Sequence, residues 1–452
     1  MLVLSTPLEV IRKFMYNPML PAEKSVTYKK ALKAITKMPL KFTESVKPSV
    51  FNYAEHNGNL HAVYNTLYCS TALLNDKEWE LLQQPENGEE AVLRELFAAG
   101  FLVPRRVNEF TKLQKYKAKF RKFLRKDMAL GLTIATTTKC NARCNYCFEN
   151  NTTRADITPE VEENILKFVD KRIGKNKRLN ITWFGGEPLL NTGLMERLSK
   201  YFKEKKYKVS ASIVTNGSLL NEAILKTGFR RWKIKRMQIT LDGTAENYAR
   251  IKNYLAPELG NLERVLQNID LAEKHKISVS IRLNINRENL DDLLKLAEQL
   301  DKRYADSKYV MWYIAALHGT DACFATEEEW LATLEKFMAR HHKQLSIKKG
   351  RSLPKLEFCM AQMPKSYCID VNGALKICWE DFTFSHNDIG NIRQFDARKD
   401  QRKKQSPLHP KCEHCVWLPM CGGGCIARRA KNEIECTVQK YQTIATLRQL
   451  VK

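Results

Sequence analysis

The strongest constraint on the fold is a sixfold alternation of strand and helix patterns between residues 132 and 314. Short runs rich in branched apolar residues alternate with segments whose apolar residues recur every three or four positions. Six such units predict an α/β fold with a parallel sheet and outer helices, for which a partial (β/α)6 TIM barrel is the best fit. In such a fold the functional side chains lie at the carboxyl ends of the strands. The predicted strands cover 132–136, 180–184, 209–214, 236–241, 277–284 and 309–314, and the predicted helices cover 158–172, 193–206, 219–226, 261–274 and 288–300.

The 13 cysteines are concentrated in two places. Cys140, Cys144 and Cys147 form a C-x3-C-x2-C motif just after the first predicted strand, and eight more lie between residues 359 and 436. The total is odd, and the N-terminus lacks the features of a secretory signal, which argues against a disulfide framework. We therefore expect a cytoplasmic protein whose cysteines are metal ligands.

The first cysteine motif suits an iron–sulfur cluster better than zinc. Three thiolates on one loop can hold three irons of a cubane and leave the fourth iron open to another ligand. A structural zinc site needs a fourth protein ligand, and the nearest histidine is distant in sequence.

The motif and its Asn145-Tyr146-Cys147 ending resemble the signature of radical S-adenosylmethionine (SAM) enzymes. The resemblance extends along the predicted strands, because Gly185-Gly186-Glu187 ends the second strand and Thr215-Asn216-Gly217 the third. It implies that Cys140, Cys144 and Cys147 hold a [4Fe-4S] cluster and that SAM cleavage yields a 5′-deoxyadenosyl radical that abstracts hydrogen from the substrate. It further implies the following SAM contacts: Tyr146, Gly185, Gly186, Glu187, Thr215, Asn216, Thr240, Asp242 and Arg282.

The C-terminal cysteines resemble the SPASM extension of radical SAM enzymes, which holds two auxiliary [4Fe-4S] clusters. By this resemblance, one cluster takes Cys359, Cys368, Cys378 and Cys425, and the other takes Cys412, Cys415, Cys421 and Cys436. Eight thiolates saturate two cubanes. Cys323 competes with Cys359 for its position. The expected cofactors are thus three [4Fe-4S] clusters and SAM.

A candidate general base follows Cys378. In related sulfatase-maturating enzymes, an acid directly after the equivalent cysteine takes the substrate proton. Here the sequence is Cys378-Trp379-Glu380-Asp381, so the acid is displaced by one or two positions. Glu380 or Asp381 is the hypothesised base, and a solvated turn acid is the alternative.

The N-terminal region favours a peptide substrate. Residues 49–110 resemble the winged-helix element with which ribosomal-peptide maturases bind a leader peptide as an added strand. A structural cap on the barrel is the alternative. Around it we expect an unassigned extension (1–48), a basic linker helix (111–128), a radical SAM barrel (129–345) and a SPASM domain (346–452).

The predicted function is the crosslinking of a ribosomally made precursor peptide. A thioether is the expected bond, with a carbon–carbon crosslink as a close competitor, and sulfatase maturation to formylglycine or quinone-cofactor maturation stays open. The expected partners are the precursor peptide and an electron donor such as flavodoxin or ferredoxin, with no membrane and no nucleic acid. The net charge of +25 suits an acidic leader, but it also leaves a zinc-containing nucleic-acid-binding protein as the distant alternative.

Overall fold

The computed structural model describes residues 2–3, 42, 45–126, 128–149, 152–317, 326–340, 359–383, 388–395, 408–426, 429, 434 and 436–452. Most of the N-terminal extension, the proposed boundary at 345/346 and Cys323 lie outside the described residues. Within them, no helix has the length and apolar character needed to cross a membrane.

The N-terminal region is built around a four-stranded antiparallel sheet with strand order β1-β5-β4-β3. Its strands are β1 (Leu2–Val3), β3 (Asn52–Asn57), β4 (Leu60–Asn65) and β5 (Ser70–Asn75), and β2 (Val46–Pro48) pairs separately with β6 (Leu102–Pro104). The helices are α1 (Asp76–Gln83), α2 (Glu90–Ala98) and α3 (Glu109–Lys126). The sequence pattern predicts helices over 76–83 and 88–99 and a return strand over 101–103, and the structure confirms all three; β3 and β5 were not predicted.

A second, nine-stranded sheet runs through the rest of the described chain in the order β12-β11-β10-β9-β8-β7-β13-β14-β15. Its strands are β7 (Leu130–Ala135), β8 (Arg178–Phe184), β9 (Lys208–Thr215), β10 (Ile234–Leu241), β11 (Ser278–Ile285), β12 (Val310–Ala316), β13 (Ser366–Ile369), β14 (Ala374–Lys376) and β15 (Asp388–Asn391). The main helices on it are α4 (Pro159–Arg172), α5 (Thr192–Glu204), α6 (Phe229–Arg231), α7 (Ala245–Lys252), α8 (Pro257–Gly260), α9 (Leu262–Lys274), α10 (Leu290–Arg303) and α11 (Glu327–Arg340).

The six predicted parallel strands are confirmed as β7 to β12, each paired with its sequence neighbour. The sheet is open rather than closed, because β7 pairs on its other side with β13 instead of β12. Strand β13 is parallel to β7, and β14 and β15 continue the sheet in antiparallel pairing. The C-terminal cysteine-rich segment therefore extends the barrel sheet, which the sequence pattern did not indicate.

One predicted helix of the barrel is irregular. The segment predicted as a helix over 219–226 instead forms a π-helix at Ile224–Gly228, followed by the short α6. The ring of Trp232 packs where a Cβ on Gly228 would lie, 2.8 Å from that position, and its indole N–H donates to Glu196 over 2.8 Å. A π-helix has a wider turn than an α-helix and is uncommon. Here it occurs beside the large Trp232 ring, which the hydrogen bond to Glu196 fixes against α5.

The C-terminal helix ties the N-terminal sheet to the rest of the molecule. After the short α12 (Pro410–Glu413) and α13 (Leu418–Cys421), α14 (Val438–Leu450) packs against α11, β3 and β4. Arg448 pairs with Glu55 at 3.4 Å and with Glu335 at 3.2 Å, and the Asn57 side chain donates to the Val451 carbonyl over 2.9 Å. The Tyr53 ring also lies 4.6 Å from that of Trp417, beside the C-terminal cysteines.

Candidate active site

The first three cysteines lie on the loop that leaves the carboxyl end of β7. Burial raises the pKa of each of these thiols, that of Cys140 to about 11, and Cys144 interacts electrostatically with both Cys140 and Cys147. The N–H of Ala142 also donates to the Cys140 sulfur over 3.4 Å. Thiols held close together and partly desolvated need a bound cation to become thiolates.

The segment after α7 holds this cysteine loop in place. The N–H of Arg143 donates to the carbonyls of Lys252 and Asn253, both over 3.0 Å, and Ala142 forms a bridge with Tyr254. Asn253 adopts the left-handed conformation that ends α7, with φ of 45°. The loop is therefore fixed by backbone contacts to a part of the chain more than a hundred residues away.

The two glycines after β8 lie against the same loop. The N–H of Gly186 donates to the Thr137 carbonyl over 3.0 Å, and the next N–H, of Glu187, donates to the Lys139 carbonyl over 2.9 Å. A Cβ on Gly186 would overlap the Lys139 carbonyl and lie 2.9 Å from that of Thr138. The family resemblance predicts that these glycines contact SAM, and glycine admits such a close approach because it has no Cβ. The structure shows that the approaching backbone is that of the cysteine loop; the contact with SAM stays a prediction.

Glu187 joins the ends of two neighbouring strands. Its carboxylate is fully buried and accepts from the Thr215 hydroxyl and the Asn216 N–H, both over 2.8 Å, and from the Leu189 N–H over 3.0 Å. Burial raises its pKa, and these three hydrogen bonds oppose that effect. The Asn216 side chain in turn donates to the Asn141 side chain over 2.8 Å, and Asn141 directly follows Cys140 in the sequence. The predicted SAM contacts on these two strands are therefore already linked to one another and to the cysteine loop.

A buried ion pair lies beneath the cysteine loop. Lys252 Nζ is 2.7 Å from Asp242 Oδ2, and the two side chains are only 2% and 1% exposed. The ammonium also donates to the Thr240 hydroxyl over 2.8 Å and to the Tyr146 hydroxyl over 3.1 Å. Burial by itself lowers the pKa of Lys252, but the Asp242 carboxylate holds it well above its ordinary value. The lysine is thus a fixed cation, and it interacts electrostatically with Cys144.

The predicted SAM contacts Tyr146, Thr240 and Asp242 meet in this network. The Tyr146 hydroxyl donates to Asp242 over 2.8 Å, and the Asn284 side chain donates both to that hydroxyl and to Asp242, over 3.1 and 2.9 Å. Burial and then the Asp242 charge raise the pKa of Tyr146 well above its ordinary value, so the phenol stays protonated. Lys252 and Asn284 were missed by the sequence analysis, because no local pattern marks a buried lysine or asparagine.

One strand presents several unpaired polar atoms on the face that carries Asn284. Successive residues of a strand alternate between its two faces, so Ser280 and Arg282 share this face. Among the described residues, Ser280 Oγ, Arg282 Nε and Asn284 Oδ1 are buried without a hydrogen-bond partner. Buried polar atoms are normally satisfied, so their concentration here indicates a place for a polar ligand.

The C-terminal cysteines form two groups of interacting thiols. In the first, burial and then the neighbouring Cys368 raise the pKa of Cys378 well above its ordinary value, with a smaller effect of Cys359. Cys368 lies on β13 opposite Thr133 of β7, so this group borders the barrel. Cys425 follows a run of three glycines with positive φ (Gly422–Gly424); its place in this group stays a prediction.

The second group, called here the Cys412 set, comprises Cys412, Cys415, Cys421 and Cys436. Burial raises the pKa of Cys412, as do the nearby Cys421 and Cys415, and Cys436 in turn interacts with Cys421. The structure thus brings together four cysteines in the predicted combination, although their ligation of a cluster stays a prediction. Among the described residues, no three His, Cys, Asp or Glu side chains are arranged as ligands of a single metal ion.

An aromatic contact connects the glycine motif to the first C-terminal group. The rings of Phe184 and Trp379 are stacked with centroids 5.6 Å apart and planes within 6°. Phe184 directly precedes Gly185, and Trp379 directly follows Cys378. Glu380 is exposed on the next turn, while the side chain of Asp381 lies outside the described part of the structure.

Comparison with known proteins identifies the barrel. The family model of the radical SAM superfamily matches residues 134–300. The chain carries a radical SAM domain. The radical SAM family implies a [4Fe-4S] cluster and SAM, and the residues fit both. Three mutually interacting thiols lie on one loop, and the unpaired polar atoms lie on β11, whose Asn284 contacts Tyr146 of that loop. The domain belongs to a superfamily of enzymes.

Individual relatives match larger parts of the chain at low identity. The radical SAM cyclopropyl synthase TigE of Paramaledivibacter caminithermalis is 23% identical over 54% of this chain and 51% of its own length, so the chain spans about half of that relative. The cysteine-type anaerobic sulfatase-maturating enzyme of Clostridium novyi is 23% identical over 66% of this chain and 87% of its own. A solved structure of native anSMEcpe with bound AdoMet and Kp18Cys peptide covers 71% of this chain and 97% of its own, at 17% identity and a TM-score of 0.56, which establishes a shared fold.

Proposed function

We propose that this radical SAM protein is a maturase that installs a crosslink in a ribosomally made precursor peptide, with a thioether as the expected bond. The observation that carries the proposal is the gathering of the C-terminal thiols into two groups, one of them beside the barrel sheet. These groups support a SPASM-like region with two further [4Fe-4S] clusters. The cluster on Cys140, Cys144 and Cys147, together with SAM, supplies hydrogen-atom abstraction when bound.

The protein's own residues have three tasks in this reaction. The ion pair of Lys252 and Asp242 holds Tyr146 and the cysteine loop in a fixed position. The unpaired polar atoms of Ser280, Arg282 and Asn284 provide a polar surface on which SAM is oriented. Forming a thioether removes a hydrogen atom from carbon, a proton from the thiol and one electron from the substrate. The proton needs a base, and a C-terminal cluster is a suitable electron acceptor.

The N-terminal sheet supports recognition of a peptide. Strand β5 pairs with β4 along its whole length, and among the described residues its other side pairs only at Ala72 and Leu73, with Leu2–Val3. A strand edge with unpaired backbone groups is a template for an added peptide strand. We infer that the leader of the precursor binds along this edge.

Anaerobic sulfatase maturation is the second candidate. It is favoured by the match to the Clostridium novyi enzyme, which extends over 87% of that relative. The two functions differ in the fate of sulfur, because crosslinking a cysteine retains the sulfur, whereas oxidation of a cysteine to formylglycine removes it. The products therefore distinguish them directly.

The test is anaerobic co-expression with short cysteine-containing reading frames that neighbour the gene and, separately, with a sulfatase. The proposal predicts a peptide that loses two hydrogens per crosslink, retains its sulfur and gives fragment ions that keep the two joined residues together. A Cys140→Ala variant is the control and should give unmodified peptide. Formylglycine in the sulfatase with unmodified peptides would replace the proposal by the second candidate.

The general base can be tested separately from radical formation. We predict that Glu380→Gln combined with Asp381→Asn lowers product formation by about 100-fold or more, the usual contribution of a positioned base, and leaves 5′-deoxyadenosine formation intact. Liquid chromatography of both products from one reaction gives the comparison. The exposed Glu204→Gln on α5 is the matched control. Normal peptide turnover in the double variant would remove these two acids from the mechanism.

A further inference from the structure

The Cys436 sulfur has an unusual set of charged neighbours. Lys440 Nζ lies 3.8 Å from it and 2.8 Å from a carboxylate oxygen of Glu327, on α11. The Tyr441 hydroxyl donates to the other oxygen of Glu327 over 2.7 Å. The Lys440 side chain is only 16% exposed, so its charge is partly shielded from water. A cation is therefore held against one sulfur of the Cys412 set.

The position of Lys440 on its helix is unfavourable unless an anion lies nearby. Lys440 is in the first turn of α14, where the helix dipole disfavours cations and favours acids. This first turn contains no acid, whereas those of α4, α10 and α11 contain two or three: Glu160 and Glu162, Asp291 and Asp292, and Glu327, Glu328 and Glu329. Glu327 neutralises part of the lysine charge, and a cluster bound to four thiolates would supply further negative charge at the same place.

We propose that Lys440 is a positioning residue for an iron–sulfur cluster on the Cys412 set, where its ammonium group donates to the Cys436 thiolate and raises the cluster's reduction potential. The inference rests on the proposed function, which assigns a cluster to these cysteines. Reduction adds one electron to the cluster, and a nearby cation or hydrogen-bond donor to sulfur stabilises the reduced form. Glu327 holds the ammonium in place and has the opposite electrostatic effect.

The charge of Lys440 is supported by its surroundings. Its ammonium nitrogen lies 2.8 Å from a carboxylate oxygen of Glu327, and a carboxylate at this distance favours the charged form of the lysine. A lysine that stays protonated acts as a constant charge, so the effect on the cluster does not depend on titration of the lysine.

The test is a potentiometric titration in which the auxiliary clusters are monitored by electron paramagnetic resonance. All variants are made in a background where Cys140, Cys144 and Cys147 are replaced by alanine, so that only auxiliary clusters give signals. Lys440→Met should shift one auxiliary potential to a more negative value, and Glu327→Gln should shift the same potential to a more positive value. Lys440→Arg should restore most of the parent value. The control is Lys411→Met, an exposed lysine next to Cys412, which should change the potential little because water screens its charge.

The outcomes separate this inference from the proposed function. Two auxiliary signals with potentials unchanged in Lys440→Met and Glu327→Gln would overturn the inference and leave the clusters in place. A shift in Lys411→Met as large as that in Lys440→Met would also overturn it. If Lys440→Met loses the cluster, Glu327→Gln provides the test. A more positive potential in that variant would support the inference, and an unchanged or more negative potential would overturn it. Absence of auxiliary signals in the parent protein would overturn the assignment of clusters as well as the inference.

Discussion

Replacing Lys252 by methionine is expected to destabilise the barrel by about 3–5 kcal/mol, the usual cost of removing one partner from a buried ion pair. The Asp242 side chain would remain in a site that is 1% exposed, with hydrogen bonds from Tyr146 and Asn284 but without its cationic partner. Because Lys252 also bonds to Tyr146 and its carbonyl holds Arg143, the cysteine loop should lose its fixed position. We expect 5′-deoxyadenosine formation to fall together with stability.

Urea unfolding under anaerobic conditions measures the effect on stability, with the exposed Lys200→Met on α5 as the matched control. Combining Lys252→Met with Asp242→Asn removes the unpaired charge and should recover part of the lost stability. A coupling free energy near zero in this double-mutant cycle would contradict a direct interaction between the two side chains.

Gly186→Ala is expected to have the second large effect, because the added methyl group would overlap the backbone of the cysteine loop. Its Cβ would lie 2.7 Å from the Lys139 carbonyl carbon and 2.9 Å from the Thr138 oxygen, and backbone atoms cannot move aside as flexible side-chain ends do. Displacing Cys140 by about 1 Å relative to SAM should slow 5′-deoxyadenosine formation by about 100-fold. Overpacking should also cost about 1–3 kcal/mol of stability.

The same substitution at Gly193 is the control for Gly186→Ala. Gly193 lies in the first turn of α5, and the nearest atom to an added Cβ is the flexible end of Arg197 at 3.3 Å. Alanine there should leave the rate unchanged and slightly stabilise the helix. Equal rates for the two alanine variants would show that the glycine motif does not position the cysteine loop.

The barrel could be predicted from the sequence because its signals are local. Apolar runs of strand length alternate with helical spacing, and all six parallel strands lie within about two residues of their predicted ends. The pairing of β13 with β7 could not be predicted, since it joins segments more than two hundred residues apart. Strands β3 and β5 were missed because neither shows a strict alternation of buried and exposed residues. The helix α14 packs on β3, and several residues of β5 are intermediate in burial.

The candidate site was predicted as a set of residues but not as a network. Cysteine spacing and strand-end motifs marked Cys140, Tyr146 and Asp242, because each belongs to a short pattern. Lys252 was missed because an isolated lysine at a helix end is normally solvated, and only tertiary packing buries this one. The glycine motif was recognised, but its contact with the cysteine loop depends on how two loops meet in space.

The measurement that tests the central claim most directly is the iron and acid-labile sulfide content per chain after anaerobic reconstitution, with a 5′-deoxyadenosine assay on the same sample. A radical SAM maturase with three cubanes predicts about twelve irons per chain and 5′-deoxyadenosine formed only after reduction. About four irons with activity would preserve the radical SAM enzyme and contradict the two C-terminal clusters. Zinc without iron, and no 5′-deoxyadenosine, would contradict the account as a whole.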